Sequence, residues 1–298
     1  MTRSRAPSYL VVNADDYGYY GCVSRGILEA ARGGLVTATG VMANGGDFEA
    51  HALALRDCPD LDAGVHLNLT SGTPLTRTMR EKCARWSGAF PGKFAAVAAV
   101  LSGAIRVEDV VAEWSAQIER CLCAGLVLRF LNSHEHVHML PPLFAATRAL
   151  AQRHGIAHLR FTGAERPSSA APGVLLRGAL VAALQLMNAS RNRPAAPRML
   201  GLNASGRLDA SALRRATATM QPGRVYELMC HPGRRDSAEV RDLRLLAYHD
   251  WEVELATLTS PESRRALADA GVVTIGYRHL TVDAGRITVR PETAAGAS

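Results

Sequence analysis

Two adjacent carboxylates, Asp15 and Asp16, stand at the end of the apolar run 9–12 and are followed by Gly18. Consecutive apolar residues are typical of a strand buried on both faces, and the polar residues and glycine after them indicate a turn. Because ligands of parallel α/β sheets bind beyond the carboxyl ends of the strands, the pair predicts a reactive centre. The alternative is that one of the two caps the helix that follows.

Histidines stand at three other predicted strand ends. They are His66, the cluster of His134, His136 and His138, and His231. In a parallel barrel such ends converge on one face. A carboxylate with two imidazoles is a ligand set for a divalent ion that leaves positions open for water and substrate, as in hydrolytic Zn²⁺ sites. The sequence therefore predicts one metal site, to which not all three clustered histidines contribute.

Structural roles compete with each of these assignments. A lone strand histidine such as His66 is more often a buried structural residue, and His231 precedes Pro232 and Gly233, as a turn residue would. At least one clustered histidine is expected to support a ligand rather than to bind the ion. We assign structural roles to the remaining histidines, which are His51, His154, His158, His249 and His279. A serine nucleophile is disfavoured because no GxSxG motif is present.

The elements that must position these groups alternate between strand and helix. Strands are predicted over 9–12, 36–42, 62–70, 126–131, 158–161, 225–231 and 272–277, and helices over 22–31, 47–56, 107–123, 142–154, 209–220, 241–257 and 261–270. Region 71–105 is predicted to be a long loop with a short helix over the site, and 162–205 an irregular insertion on the substrate side. This alternation favours an α/β fold in one domain over residues 1–298, rather than two smaller domains.

Composition limits the partners. The 298 residues carry a net charge of +7, but only two of the 34 basic residues are lysines, and the arginines are scattered among Ala, Gly and Leu. Scattered arginines argue against a phosphate-binding stripe, so we expect no nucleic-acid partner, although Arg191, Arg193 and Arg198 leave a local patch open.

Cysteine spacing and hydrophobic stretches bear on location. The six cysteines show no CxxC pair, and the first eight residues contain no apolar h-region, so we expect a reduced, cytoplasmic protein without a signal peptide. The apolar stretch 173–187 is interrupted by Arg177 and is too short to span a bilayer. A peripheral location at the inner face of the membrane and a homo-oligomer stay open.

Four motifs together resemble the YdjC/ChbG family of carbohydrate deacetylases, which includes chitooligosaccharide and hopanoid-associated deacetylases. The motifs are VNADDYG at 12–18, GVHLNLT at 64–70, NSHEHVHM at 132–139 and ELMCHPG at 227–233, in the family's order. The resemblance implies an irregular, TIM-like (β/α) barrel that removes an N-acetyl group from an amino-sugar substrate, either an oligosaccharide or a glycolipid.

The resemblance also implies roles for individual residues. Asp16, His66 and His134 would bind one Mg²⁺ or Zn²⁺ ion, Asp15 would be the general base, and His231 the general acid or a transition-state stabiliser. Residues expected to support the ligands or to contact substrate are Asn68, Asn132, His136, His138 and Arg160.

The chain departs from the family at some positions. Tyr17 stands where members often have Phe, Asn132 where many have Asp, and region 162–205 cannot be aligned. The unaligned region contains the apolar stretch 173–187 and predicts a large or lipid-linked substrate. Two other functions stay open, namely a non-catalytic glycan-binding protein on the same fold and another single-metal hydrolase such as a phosphodiesterase.

Overall fold

The computed structural model describes residues 6–166, 172–189 and 194–290. Arg191 and Arg193 lie outside these ranges. The strands are β1 (Ser8–Tyr17), β2 (Ala38–Val41), β3 (Asp62–Leu67), β4 (Leu128–Ser133), β5 (His158–Leu159), β6 (Arg198–Leu200), β7 (Val225–Cys230), β8 (Val272–Thr274), β9 (Leu280–Asp283) and β10 (Arg286–Val289).

Helices connect most of the strands. The α-helices are α1 (Gly21–Gly33), α2 (Phe48–Arg56), α3 (Arg77–Lys82), α4 (Lys93–Leu101), α5 (Val107–Cys123), α6 (Pro141–Arg153), α7 (Pro172–Ala189), α8 (Ala210–Thr217), α9 (Leu243–Tyr248), α10 (Trp251–Thr259) and α11 (Pro261–Asp269). Short 3₁₀ helices cover Ala84–Trp86, His134–Met139, Leu202–Ala204 and Tyr277–His279.

The main sheet is parallel, with the order β5-β4-β3-β2-β1-β7-β6, and β8 pairs with the beginning of β1. Strand β1 lies inside the sheet, between β2 and β7, and is buried along its whole length. Within the described ranges, β5 and β6 are the two edges of this path, so the strands form a half-barrel and not the closed ring of a TIM barrel. The predicted α/β fold with parallel strands is confirmed.

The end of β1 differs from the predicted turn. The strand continues through both aspartates to Tyr17, and its register with β2 shifts between Ala14 and Tyr17. Such a bulge redirects side chains at the end of a strand, and Asp16 has the left-handed φ of +70°. Neither aspartate caps α1, because the N-cap of that helix is Tyr20 and no side chain bonds there. The two carboxylates are therefore free to serve the site.

The predicted irregular regions contain regular elements. Region 71–105 forms α3 and α4 in place of one short helix, and α4 contacts the 3₁₀ helix that carries the clustered histidines. Region 162–205 contains α7 and the edge strand β6, and the predicted helix 241–257 is divided into α9 and α10. In the described part of the chain, no helix is long and apolar enough to cross a membrane.

Candidate active site

Three predicted ligands meet at the carboxyl ends of three neighbouring strands. Asp16 is the last residue but one of β1, His66 lies in β3, and His134 directly follows β4. One oxygen of Asp16, Oδ1, lies 3.1 Å from Nε2 of His66 and 2.7 Å from Nδ1 of His134. Asp16 and His66 are buried, and His134 is partly exposed. Among the described residues, this is the group that could hold a metal ion.

The hydrogen bonds around His66 show that this group fits a cation. The amide nitrogen of Asn132 donates to Asp15, so the amide oxygen of Asn132 is directed at Nδ1 of His66, at 2.7 Å. Nδ1 must then carry the proton, which leaves the lone pair of Nε2 facing the Asp16 carboxylate. Two acceptors at 3.1 Å repel each other unless a proton or a cation lies between them. A carboxylate and two imidazoles suit a divalent ion.

Opposite charges on Asp16 and His134 stabilise each other. Burial opposes ionisation of Asp16, but the His134 and His66 imidazoles together outweigh it and keep the pKa of the carboxyl well below its ordinary range. Burial likewise opposes the charged form of His134, and the Asp16 carboxylate raises the pKa of the imidazole above its ordinary value. Asp16 is therefore an ionised ligand at neutral pH.

Asp15 is fixed by a buried arginine. Arg160 donates from Nη1 to Oδ2 of Asp15 at 2.6 Å and from Nη2 to Oδ1 at 2.9 Å, and its Nε donates to Glu227 at 2.7 Å. Burial opposes ionisation of Asp15, but the guanidinium, together with His66 and His231, outweighs it and lowers the pKa of the carboxyl to about 2. The Arg160 guanidinium thus pairs with two buried carboxylates, and its contact with Asp15 is bidentate.

The two oxygens of Asp15 are not equivalent. Oδ1 accepts hydrogen bonds from Arg160, Asn13 and Asn132, whereas the described residues give Oδ2 the single bond from Arg160. A carboxylate oxygen has two lone pairs. Oδ2 is therefore the atom that can take a proton from a bound water.

His231 follows β7 directly and is held differently. Its main-chain N–H donates to Glu254 at 2.5 Å, while its Nδ1 is buried without a hydrogen-bond partner among the described residues. Its ring packs at 5.0 Å from that of His249, which stacks on Trp251 at 5.2 Å with an angle of 6° between the rings. The His231 side chain is thus placed by packing and by the main chain.

Comparisons with known proteins identify the family of this chain. A model of the YdjC-like protein family matches residues 9–269. The chain belongs to the YdjC-like family. A carbohydrate deacetylase of Geobacillus stearothermophilus is 38% identical over 148 residues, which cover 50% of this chain and 58% of that protein. A chitooligosaccharide deacetylase of Escherichia fergusonii is 30% identical over 268 residues, which cover 88% of this chain and 95% of that protein.

A solved structure shares the fold of this YdjC-like protein. It is an Enterococcus faecalis protein, with a TM-score of 0.69 and 24% identity over 92% of this chain and 98% of that chain. At this identity the likeness establishes the α/β architecture alone.

The other predicted site residues of the YdjC-like chain are engaged with the protein itself. Both ring nitrogens of the buried His138 have partners, Oγ of Ser133 at 2.6 Å and the main-chain oxygen of Arg160 at 3.1 Å. The side chain of Asn68 accepts from the N–H groups of Thr70 and Ser71 and so shapes the turn after β3. These contacts hold the strand ends in position.

His136 lies in a strained part of the histidine cluster. It and Glu135 both have left-handed backbone angles, with φ of 57° and 54°. Non-glycine residues rarely adopt this conformation, and residues strained in this way cluster at functional sites. Nδ1 of His136 lies 3.3 Å from Oγ1 of Thr162, and burial keeps the pKa of the imidazole well below its ordinary value. The segment forms a 3₁₀ helix in which His134 contacts Asp16 and His136 contacts Thr162, so an extended HxHxH strand is not formed.

Three residues of the site were not predicted. Glu227 shares Arg160 with Asp15, Asn13 donates to both carboxylates, and His249 lies against His231. An acidic residue within the otherwise apolar strand β7 is a signal that could have identified Glu227. The role assigned to His249 from the sequence was structural, and its distance from the motifs offered no other signal.

Proposed function

We propose that this protein is a metal-dependent hydrolase that removes the N-acetyl group from an amino-sugar substrate. The observation that carries the proposal is the Asp16 carboxylate between two imidazoles, with Asp15 beside it in an ionised, fixed state. The names of the curated relatives, carbohydrate and chitooligosaccharide deacetylase, support the same activity.

Asp16, His66 and His134 would hold one divalent ion, Mg²⁺ or Zn²⁺. When bound, the ion supplies Lewis acidity toward water and the amide carbonyl. The imidazole ligands favour Zn²⁺ or a similar transition-metal ion over Mg²⁺, which prefers oxygen ligands.

Asp15 and His231 would move the protons. Water adds to the carbonyl carbon while Oδ2 of Asp15 takes its proton, and Arg160 keeps this oxygen ionised and in place. The bond between the carbonyl carbon and nitrogen then breaks as His231 donates a proton to the nitrogen. The products are acetate and the free amine of the sugar. An amine leaves poorly without this proton, so the acid is needed for amide substrates.

The remaining predicted residues would support these groups. Asn132 connects the base to the metal site, because it donates to Asp15 and accepts from His66. His138 and Asn68 would fix the ends of β4 and β3, and His136 would face the substrate.

Helix α7, within the proposed substrate-side insertion, suggests a large or lipid-linked substrate. Its side chains Leu176, Leu180 and Leu186 are 72%, 59% and 74% exposed, and α7 contacts the 3₁₀ helix of the histidine cluster. Such a surface suits an acyl chain or the interface of a bilayer, and it agrees with a cytoplasmic protein at the inner face of a membrane. Replacing the three leucines by glutamine should weaken turnover of a lipid-linked N-acetylhexosamine but not of a short soluble chitooligosaccharide. Equal effects on both would contradict this substrate class.

The activity is tested by acetate release. Protein treated with a chelator should be inactive on N-acetylated oligosaccharides and glycolipids and should regain activity in a series of Mg²⁺, Mn²⁺, Co²⁺ and Zn²⁺. Asp15→Asn should lose about 10²- to 10⁴-fold in kcat, and Asp16→Asn should lose metal binding as well. Tight glycan binding without acetate release, whatever the metal, would contradict the proposal and favour a non-catalytic glycan-binding protein.

A further inference from the structure

A further buried carboxyl lies next to His231, the proposed general acid. Glu254, on α10, is fully buried, and its oxygens accept from the main-chain N–H of His231 at 2.5 Å and of Leu208 at 3.2 Å. In the described ranges it forms no ion pair with Lys, Arg or His. A buried carboxyl without a cation is costly, so a side chain that served packing alone would more often be apolar.

The turn after β7 depends on α10 for its hydrogen bonds. Pro232 has no N–H, and the N–H of Gly233 donates to the main-chain oxygen of Trp251 at 3.2 Å. The N–H groups of His231 and Gly233 therefore both donate to acceptors on α10. The opposite side is closed by α1, where a Cβ on Gly26 would lie 2.4 Å from Cα of Gly233. The turn is clamped between two helices, and it can shift only if this clamp loosens.

The imidazole of His231 has no comparable restraint of its own. Nδ1 is buried without a partner in the described part of the chain, and its ring contact with His249 is non-directional. The position of the proton that His231 would deliver is thus set by its main chain, whose own N–H group is held by Glu254. Burial raises the pKa of Glu254, whereas His231 and the two main-chain donors act in the opposite direction.

Both carboxylate oxygens are required for this arrangement. A carboxylate offers acceptors to two N–H donors, but a glutamine side chain would place an NH₂ group against one of them. An unpaired buried N–H is costly, so the turn or the loop before α8 would have to move.

We propose that Glu254 is a positioning residue for His231: it holds the main chain at the end of β7 so that the imidazole reaches the leaving nitrogen. This inference rests on the proposed role of His231 as the general acid. It predicts that a substitution of Glu254 slows the step in which the leaving nitrogen is protonated and no other step.

An activated ester separates these steps. The 4-nitrophenolate group of 4-nitrophenyl acetate leaves without protonation, whereas the amine of an N-acetyl sugar does not. Glu254→Gln should lower kcat on an N-acetylated chitooligosaccharide by about 10- to 100-fold, the range expected for a misplaced catalytic group. KM, metal affinity and 4-nitrophenyl acetate hydrolysis should stay within about twofold of the native protein.

A double-mutant cycle tests whether Glu254 acts through His231. In a His231→Ala background, Glu254→Gln should cause no further loss of kcat on the amide, because the group that it positions is already gone. Glu113→Gln is the matched control, since Glu113 is equally buried and accepts from the N–H groups of Leu75 and Thr76 at 2.9 and 2.8 Å. Its effect should be the same in both backgrounds.

The outcomes distinguish the two proposals. If His231→Ala lowers amide and ester hydrolysis equally, the acid role of His231 fails. If His231→Ala impairs the amide alone but Glu254→Gln impairs both substrates, or adds its full loss to His231→Ala, the positioning role of Glu254 is overturned and the residue is merely structural.

Discussion

The two proposed proton-transfer groups of the site, Asp15 on the base side and His231 on the acid side, are held in opposite ways. On the base side, both oxygens of the Asp15 carboxylate are bonded, and the guanidinium that holds them also binds Glu227. On the acid side, the His231 main chain is bonded, while Nδ1 of its ring has no partner in the described residues.

This difference fits the two tasks that we assign. A base beside a metal site must stay ionised at a fixed position before the reaction begins, which side-chain hydrogen bonds and a buried cation provide. An acid must deliver a proton to a nitrogen whose position changes as its bond breaks. A ring held through the main chain keeps its nitrogens available for this contact.

Removing the Arg160 guanidinium should disrupt the contacts that hold Asp15. Arg160→Met leaves Asp15 and Glu227 buried without a positive charge, so we expect a loss of about 3–5 kcal/mol in the free energy of unfolding, together with loss of activity. Arg160→Lys should restore the charge but not the bidentate contact. Urea denaturation measures the stability.

The control for this experiment is an exposed ion pair. Arg234 binds Glu29 at 2.7 Å with both side chains about half exposed, and Arg234→Met should cost less than about 1 kcal/mol. Similar losses in the two variants would show that Arg160 is not the organising charge of the base side.

Asn132 tests the connection from the base to the metal site. Asn132→Ala removes the acceptor that fixes the His66 tautomer, so metal affinity should fall by about 10- to 100-fold. Competition with a chromophoric chelator measures it. Thr39→Val is the control because it loses a buried bond to Ala14 in the same sheet without touching a ligand. Unchanged affinity in Asn132→Ala would mean that His66 is oriented by packing alone.

The acid side can be probed by pH. Burial, with a smaller contribution from His231, lowers the pKa of His249 from 6.5 to about 3. His249 therefore binds a proton near pH 6.5 in the unfolded chain but only near pH 3 in the folded chain. Because of this difference, the free energy of unfolding falls by about 1.4 kcal/mol for each pH unit below 6.5. His249→Phe keeps the stack on Trp251 and should remove this contribution between pH 7 and 5. Parallel stability curves for the two proteins would contradict it.

The smallest effect is expected at the ion pair between α4 and the 3₁₀ helix of the histidine cluster. Lys93 binds Glu135 at 3.0 Å, with side chains 41% and 30% exposed. Partly exposed pairs contribute about 0.2–1 kcal/mol, so Lys93→Ala should shift the urea midpoint only slightly. Loss of more than about 2 kcal/mol would show that the strained turn at Glu135 depends on this contact.

The site residues at the strand ends, including His231 on the acid side, were largely predictable from the sequence, and the contacts that position them were not. Asp15, Asp16, His66 and His134 end apolar strands, and parallel strands bring such ends together whatever their separation in the chain. The left-handed turn at Glu135 could not be predicted, because no glycine marks it.

Partners set by tertiary packing were beyond the sequence. Arg160 directly follows β5 and Glu227 lies within β7, 67 residues further along the chain, and the two strands are not neighbours in the sheet, so no local pattern relates them. Glu254 sits on a helix with acidic neighbours, where the pattern is typical of an exposed charge. The half-barrel likewise depends on the short edges β5 and β6, whose lengths the sequence does not indicate.

The division between base and acid is tested most directly by one comparison of two variants on two substrates. Asp15→Asn and His231→Ala are each assayed with an N-acetylated chitooligosaccharide and with 4-nitrophenyl acetate, in the presence of the activating metal. We predict that Asp15→Asn loses both activities, because both need an activated water, and that His231→Ala loses the amide activity while it keeps the ester activity. Equal losses on both substrates in both variants would contradict the account.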